Sequence, residues 1–402
     1  MQIEHLSLTN FRNYARLEMP LPSAPLVLCG DNAQGKTSLL EAVYYLATSK
    51  SPYTTSDRQL IHWRTEDHPM PHARLVAEMV SDGRFHRLET TILLNGAGGG
   101  GRFKKVVKHN GVEKRVMDVA GLLKVVFFMP QDLALVHGAP SDRRHFMNVT
   151  LSQVDRDYLA ALDKYERLIP QRNALLKRIA ERRASPNELS LWDEQIAVAG
   201  AVIIAARQRF LRELEVAAQR THHQLTGDKE TLSLQYQPSF TPTADGGQQL
   251  SFGVIGLDLH REIDADTIAP QFAARLEAER MESIHRGVTL SGPHRDELRL
   301  MINQRDAGLY GSRGQARTAV MSLKLAELAW MTERSGDPPV LLLDEVVAEL
   351  DASRRAFLLD RIDGGVQTLL TTTELDIFTP SFLERAAVWH VADGQISTSA
   401  TP

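Results

Sequence analysis

Gly30-Asp31-Asn32-Ala33-Gln34-Gly35-Lys36-Thr37-Ser38 sets two glycines, a lysine and two hydroxyls in the order Gly-x4-Gly-Lys-Thr. That order suits a polyphosphate. Glycines let the backbone wind so that N–H groups point at phosphate oxygens, and all nine residues are candidate nucleotide contacts. Lys36 would bring a point charge to the outer phosphates and Thr37 a hydroxyl to Mg²⁺. The loop follows the apolar run Pro25–Cys29 and precedes Leu39–Val43, the strand-before, helix-after context that the pattern needs. Towards the other end of the chain, Val340-Leu341-Leu342-Leu343-Asp344-Glu345 reads as a buried strand finishing in two carboxylates. Asp344 would hold Mg²⁺, directly or through water, and Glu345 would polarise the attacking water, so Lys36, Asp344 and Glu345 are the catalytic candidates. Acids at a strand end can instead cap the next helix, but the complete phosphate loop favours the metal reading. One ATP site in two pieces implies that the polypeptide between them is inserted into an ATPase.

Ser312-Arg313-Gly314-Gln315 opens a third candidate element. A helix begun by a small hydroxyl residue and glycine is an anion site, though within one monomer it need not face the phosphate loop. His294 and Arg295 invite an acid–base role, yet phosphoryl transfer calls for positioning and charge rather than an imidazole, so a structural role is expected. His62, His68, His72 and His222-His223 lack cysteine partners or regular ligand spacing, and no zinc site is predicted. The Gly96–Gly101 run follows a strand but opens no helix, as a hairpin tip would.

These residues need elements to hold them. Met1–Phe11 alternates apolar and polar residues like a half-buried strand, and a second strand is expected from Ala15 to Met19. Ser38–Ala47 has a helical pattern. Residues 73–117 show strand-like runs broken by Ser81-Asp82-Gly83 and Asn110-Gly111, the latter a hairpin signal. The texture then turns helical: Asp155–Arg183, with Pro170 as an expected kink or break, pairs with Asn187–Gln224 through Ser185-Pro186-Asn187. Strands and loops, including Gly246-Gly247, are expected over 227–261, and a helix over Pro270–Arg286. The chain closes with helix Gln315–Glu333, strand Val340–Leu343, helix Ala352–Ile362 and strand Thr368–Thr373. Three segments follow: 1–150 and 287–402 as the two parts of an ATPase lobe, with 151–286 as a mainly helical insertion.

At 402 residues, 43% hydrophobic and 24% charged, the chain has an ordinary globular composition. Ile196–Ala206 is too short an apolar run to span a bilayer and reads as core helix. No secretory signal is visible, and the single cysteine, Cys29, excludes an internal disulfide and suits a reducing cytosol. A cytoplasmic location and no membrane partner are therefore expected. Net charge is −4, but basic residues cluster: Arg102, Lys104, Lys105, Lys108, Lys114 and Arg115, then Arg143, Arg144, Arg167, Arg172, Lys177, Arg178, Arg182 and Arg183. Alone, such runs read as solvated faces; joined to this architecture they predict a phosphate-tracking surface.

Several strings resemble the RecF family of bacterial recombinational-repair ATPases: Leu8–Tyr14, Gly30–Thr37, Pro130–Phe146, Tyr165–Lys177, Ser291–Leu298 and the closing ATPase segment. The similarity runs in order over nearly the whole chain. It implies an α/β ABC-type ATPase head, akin to SMC and Rad50 heads, split by a mainly helical second lobe and without their coiled coil. It implies ATP and Mg²⁺ as cofactors, an ATP-dependent homodimer, binding to duplex DNA and to single-strand/double-strand junctions, and weak, DNA-stimulated ATP hydrolysis serving as a switch. It also implies work with RecR and RecO, and through them RecA, at gapped DNA near the nucleoid.

Matched residue by residue, Ser312 and Gly314, with Gln315 beside them, would meet the γ-phosphate held by a second copy, and Asp351 would lie at the dimer seam. Arg12 and Asn13 would approach the nucleotide from the first strand, and Gln131 would stand at the lid position as a metal or water ligand. This chain departs from the family pattern at Gln131 and Glu345, where acids and a second Asp respectively are common. Thr373 stands near where ABC transporters carry a switch histidine, which suits a slow switch. Lys104, Lys105, Arg172, Lys177 and Arg178 are the DNA-contact candidates. The competing readings are an ABC-type ATPase subunit coupled to a membrane or other protein partner, and a small-molecule kinase using the loop alone. The second leaves Ser312–Gln315 and the insertion unexplained.

Overall fold

The alternating residues of Gln2–Phe11 form a ten-residue strand whose inward positions, Ile3, Leu6, Leu8 and Phe11, are fully buried. In the computed structural model, which describes residues 1–65, 70–95, 102–242, 262–362 and 365–398, this strand lies inside a six-stranded antiparallel sheet. The order is Tyr14–Pro20, Gln2–Phe11, His72–Ser81, Arg84–Asn95, Arg102–His109, Val112–Lys114. Asp82-Gly83 and Asn110-Gly111 make its tight turns with paired positive φ values, the backbone geometry that matches strand twist. The Gly96–Gly101 run, His68 and Gly246-Gly247 lie outside the described residues.

A second sheet carries the chemistry. Its strands run Gln395–Thr398, Ala387–Ala392, Leu26–Cys29, Thr368–Thr372, Val340–Asp344, Val125–Phe128, parallel except for the first. Val340–Asp344 and Thr368–Thr372 are buried along their whole length, as expected of parallel strands covered on both faces. Register sets Cys29 beside Thr372 and Thr371 beside Asp344. The phosphate loop and the paired carboxylates therefore leave the sheet at the same carboxyl edge, where open α/β sheets bind ligands.

Both sheets belong to one compact unit, residues 1–131 and 331–402; a second unit comprises 132–330. These limits differ from the expected divisions after 150 and 286. Helix Pro140–Ser152 stays with the second unit through the Arg143–Glu297 pair at 2.7 Å. Residues 297–302 stay with it because that strand pairs along its length with Leu232–Gln237. The second unit is led by helices Arg156–Ala180 and Leu189–Thr226, joined at Ser185, which caps the turn of Pro186–Glu188. Pro170 does not end its helix, which runs on to Ala180. It is exposed, and on the solvent face water can take the carbonyl that proline leaves without a donor.

Pro186–Thr226 is long and apolar enough to cross a bilayer, but 61% of its apolar window is buried inside the protein. Ala201, Ile204 and Ala205 pack there against Ile268 of helix Ala265–Ala278. That helix starts before the expected Pro270, because Asp264 caps it by accepting from Thr267 N–H at 2.7 Å. Among the described residues there is no coiled coil, and the fold is α/β with a mainly helical second unit.

Candidate nucleotide site

Close packing forces the loop's glycines. A Cβ on Gly35, at φ +116°, would sit 2.3 Å from Asn13 Nδ2, and one on Gly30 2.2 Å from the Val391 carbonyl oxygen. The loop is braced from outside. Asn13 Nδ2 and Gly394 N–H both donate to the Gln34 carbonyl (2.8 and 3.1 Å), while Asp393 N–H donates to Gln34 Oε1 at 2.7 Å. Tyr14 donates its phenol to the Gly35 carbonyl at 3.0 Å, and burial pushes that phenol's pKa up, so it stays a donor. Helix Lys36–Thr48 begins at Gly35 with no side-chain cap and no acid in its first turn, which includes Ser38. Its leading N–H groups are thus left for an anion.

Lys36 is 3% exposed, and its ammonium folds back onto its own loop. It donates to the carbonyls of Gly30 (2.5 Å) and Asp31 (3.1 Å) and lies 3.3 Å from Glu345. A buried cation resting on carbonyl oxygens and one half-exposed carboxylate is suited to transfer to phosphate oxygens. Asp344, also buried, takes three hydroxyl donors: Thr37 and Thr371 on Oδ1, both at 2.8 Å, and Tyr53 on Oδ2 at 2.9 Å. Thr371 also accepts from the Glu345 N–H at 2.9 Å. Glu345 itself sits at φ +55°, a left-handed backbone that costs a non-glycine residue on the order of 1 kcal/mol and clusters at functional sites. A hard carboxylate next to a threonine hydroxyl fits Mg²⁺. Cys29, on the strand below the loop, is buried with its thiol pKa pushed up by that burial, a core residue rather than a nucleophile.

Arg12, expected near the nucleotide, is bonded to the loop's own helix. Its Nε and Nη2 both donate to Glu41 at 2.7 Å, and Nη1 donates to the Gln59 carbonyl at 3.1 Å. Its guanidinium is engaged with a buried acid of the loop's own helix. Asp351 is exposed and caps helix Ala352–Ile362, accepting from Arg354 N–H at 2.9 Å. That bond, with the Arg354 side chain, holds its carboxyl below the usual range. Gln131 is exposed in a short turn, Pro130–Leu133, after strand Val125–Phe128, and Thr373 is exposed just past its own strand.

In the second unit, Ser312 and Gln315 cap each other: Gln315 N–H donates to Ser312 Oγ at 3.2 Å, and Ser312 N–H to Gln315 Oε1 at 2.9 Å. This is a capping box, and it opens helix Arg313–Ser335. Gln315 Nε2 also donates to Glu230 at 2.8 Å. Between the two caps, a Cβ on Gly314 would meet only Ser312 Oγ, at 3.9 Å, so packing within this unit does not require a glycine. Leu309 and Tyr310, just before, are 69% and 74% exposed.

The family described as RecF/RecN/SMC N terminal domain matches residues 2–390. The "DNA replication and repair protein RecF" of Chloroflexus aurantiacus is 39% identical over 412 residues, covering 98% of this chain and 99% of that protein. This chain belongs to the RecF family. The protein of the same description from Listeria welshimeri is 37% identical, covering 99% of this chain and 100% of its own length. Two solved structures, "Structure of the recombination mediator protein RecF-ATPrS in RecFOR pathway" and its RecF-ATP counterpart, superpose with TM-scores of 0.84 and 0.82 at 28% and 27% identity. They cover 99% of this chain and 98% and 97% of theirs. An Smc head domain from Pyrococcus furiosus, 12% identical with a TM-score of 0.51 over 98% of this chain and 95% of its own, shares the fold.

The basic candidates divide sharply. Arg172 requires correction as a DNA contact: it is 0% exposed, donating to Asp193 at 2.7 Å and to Thr289 at 3.0 Å, and it belongs to the core of the helical unit. Lys105 is half-buried and engaged with the Ser49 carbonyl (2.6 Å), Asp57 (3.2 Å) and the Tyr45 ring (4.7 Å), its pKa lowered by burial. Lys104, Lys177 and Arg178 are exposed. His294 lies against Tyr165 at 2.7 Å, and burial lowers its pKa to about 4, the state of a neutral structural imidazole. Sequence reasoning missed Tyr53 and Thr371. Thr371 had a signal, a threonine ending a buried strand, while Tyr53 had none.

Proposed function

We propose that this chain is an ATP-dependent DNA-binding switch of recombinational repair. One observation carries the reading most: the Thr37 hydroxyl and the Asp344 carboxylate, from opposite ends of the chain, meet at 2.8 Å beside a lysine resting on its own loop. In this reading the loop N–H groups and Lys36 bind the phosphates of ATP, as the ATP-bound RecF structures support. Thr37 and Asp344 hold Mg²⁺, with Gln131, exposed in its turn, as the lid-position candidate for a further ligand. Bound there, the ion would offset phosphate charge and orient the outer phosphate. Glu345 leaves Lys36 to orient the attacking water. The unneeded glycine at 314, between capped and exposed neighbours, supports a surface that a second copy approaches with its nucleotide, with Asp351 at the same seam. Exposed Lys104, Lys177 and Arg178 track DNA phosphates, duplex or junction, without reading bases. RecO, RecR and, through them, RecA are the partners that the RecFOR description of the solved relatives supports.

The test is sedimentation mass with and without ATP and Mg²⁺, in parallel with a gapped duplex. Wild type is expected to dimerise with ATP and bind the DNA. Lys36→Met and Ser312→Arg are expected to stay monomeric, and Glu345→Gln to hold the dimer longer. A monomer throughout, with turnover indifferent to DNA, would refute the switch and favour an ATPase subunit serving another protein partner.

A further inference from the structure

After helix Lys36–Thr48 the chain doubles back, and a line of hydrogen bonds carries it to the metal carboxylate. Arg12 grips the buried Glu41 through two bonds of 2.7 Å. Glu41 accepts the Ser51 hydroxyl. Ser51 Oγ in turn accepts the N–H groups of Tyr53 at 3.0 Å and Thr54 at 3.1 Å, fixing the backbone of that turn. The Tyr53 ring stands edge-on to Phe127, 6.3 Å between centroids at 88°, and its phenol donates to Asp344 Oδ2 at 2.9 Å. All these residues lie within the one unit.

We propose that Tyr53 is a positioning residue for the divalent cation, a deduction that rests on reading Asp344 as the metal carboxylate. The terminal torsion of an aspartate is broad, so a carboxylate held on one oxygen only can rotate away from a metal. Here Oδ2 is held by the phenol while Oδ1 faces Thr37, the hydroxyl that would share the ion. A bond to a charged acceptor is among the stronger hydrogen bonds, and a ligand already oriented loses less freedom when the ion arrives. Arg12 thereby serves the nucleotide site at a distance, as the anchor of the turn that carries Tyr53. Were the phenol instead a plug that Mg²⁺ must displace, its removal would make the ion bind more readily.

The experiment is equilibrium binding of a fluorescent ATP analogue to the full chain, titrated with Mg²⁺ and repeated in EDTA, for wild type, Tyr53→Phe, Ser51→Ala and Asp344→Asn. Tyr53→Phe keeps the ring on Phe127 and removes only the hydroxyl. It is expected to raise the half-saturating Mg²⁺ concentration roughly five- to tenfold while leaving affinity in EDTA unchanged. Ser51→Ala should move it less, in the same direction. If Asp344→Asn raises the Mg²⁺ requirement but Tyr53→Phe leaves it unchanged or lowers it, the positioning role is overturned. If Asp344→Asn changes nothing either, the metal reading of Asp344 has failed and the role of Tyr53 falls with it.

Discussion

Two aspartates of this protein are buried in different company. Asp296, in the helical unit, is 0% exposed and meets the Arg207 guanidinium at 3.0 Å, the Tyr236 phenol and the Ser239 N–H at 3.0 Å. Asp344, in the sheet unit, meets three neutral hydroxyls, and among the described residues no lysine or arginine pairs with it. Burying a carboxylate demands compensation. Asp296 has its compensation built in and is a piece of scaffold. Asp344 has orientation without an opposing charge, which is what its proposed role as a Mg²⁺ carboxylate requires.

The comparison breaks most visibly through stability. Arg207→Met leaves Asp296 buried and unpaired and should cost about 3–5 kcal/mol, read as a lowered urea midpoint, with partial recovery when Asp296→Asn is added. Asp344→Asn is expected to do the reverse. It should shift the same midpoint by less than about 1 kcal/mol while lowering Mg²⁺-dependent ATP turnover by roughly 100-fold or more, measured as phosphate release. If it destabilises as strongly as Arg207→Met, Asp344 is scaffold too.

A smaller effect comes from His294. Its pKa is lowered from 6.5 to about 4 by burial, with Arg295, Arg144 and Arg207 adding to the effect. The unfolded chain therefore binds the extra proton first as pH falls. Its contribution is complete above about pH 6.5 and is lost as pH drops towards 4, at no more than about 1.4 kcal/mol per pH unit. Urea midpoints at pH 7 and 5 should differ less in His294→Gln than in wild type. Smallest of all, alanine at Lys177 or Arg178 should each reduce the salt slope of DNA binding by about one, with no change in base preference. An unchanged slope would remove that helix end from the DNA surface.

The phosphate-loop motif could be read from the chain because its residues are dictated locally: Gly30 and Gly35 stand where a Cβ would collide with Val391 and Asn13, and Lys36 and Thr37 follow at the spacing of the motif. Hairpin turns at Asp82-Gly83 and Asn110-Gly111 were legible for the same reason. Arg172 was misjudged by counting charges along the sequence. Its spacing from Tyr165, Leu168, Leu175 and Ile179 puts it on the apolar side of the helix, where it is buried with them, so the periodicity contained the answer. Unit limits and Tyr53 were not legible, since the strand pairing of 297–302 with 232–237 and the reach of a phenol to Asp344 are long-range choices of the fold. Arg12 lies between these cases: its type was informative, but its partner, Glu41, has no pattern to announce it.

The strand that feeds the phosphate loop, Leu26–Cys29, has as its two neighbours Thr368–Thr372 and Ala387–Ala392. At ordinary rates of synthesis, on the order of 5–20 residues per second, it therefore waits tens of seconds on the ribosome without either partner. During that interval the helical unit, residues 132–330, has time to form. The strand beneath the loop gains both neighbours only near the end of translation. A ribosome stalled in that stretch would release a chain with residues 132–330 complete and the phosphate-loop strand still without its neighbours.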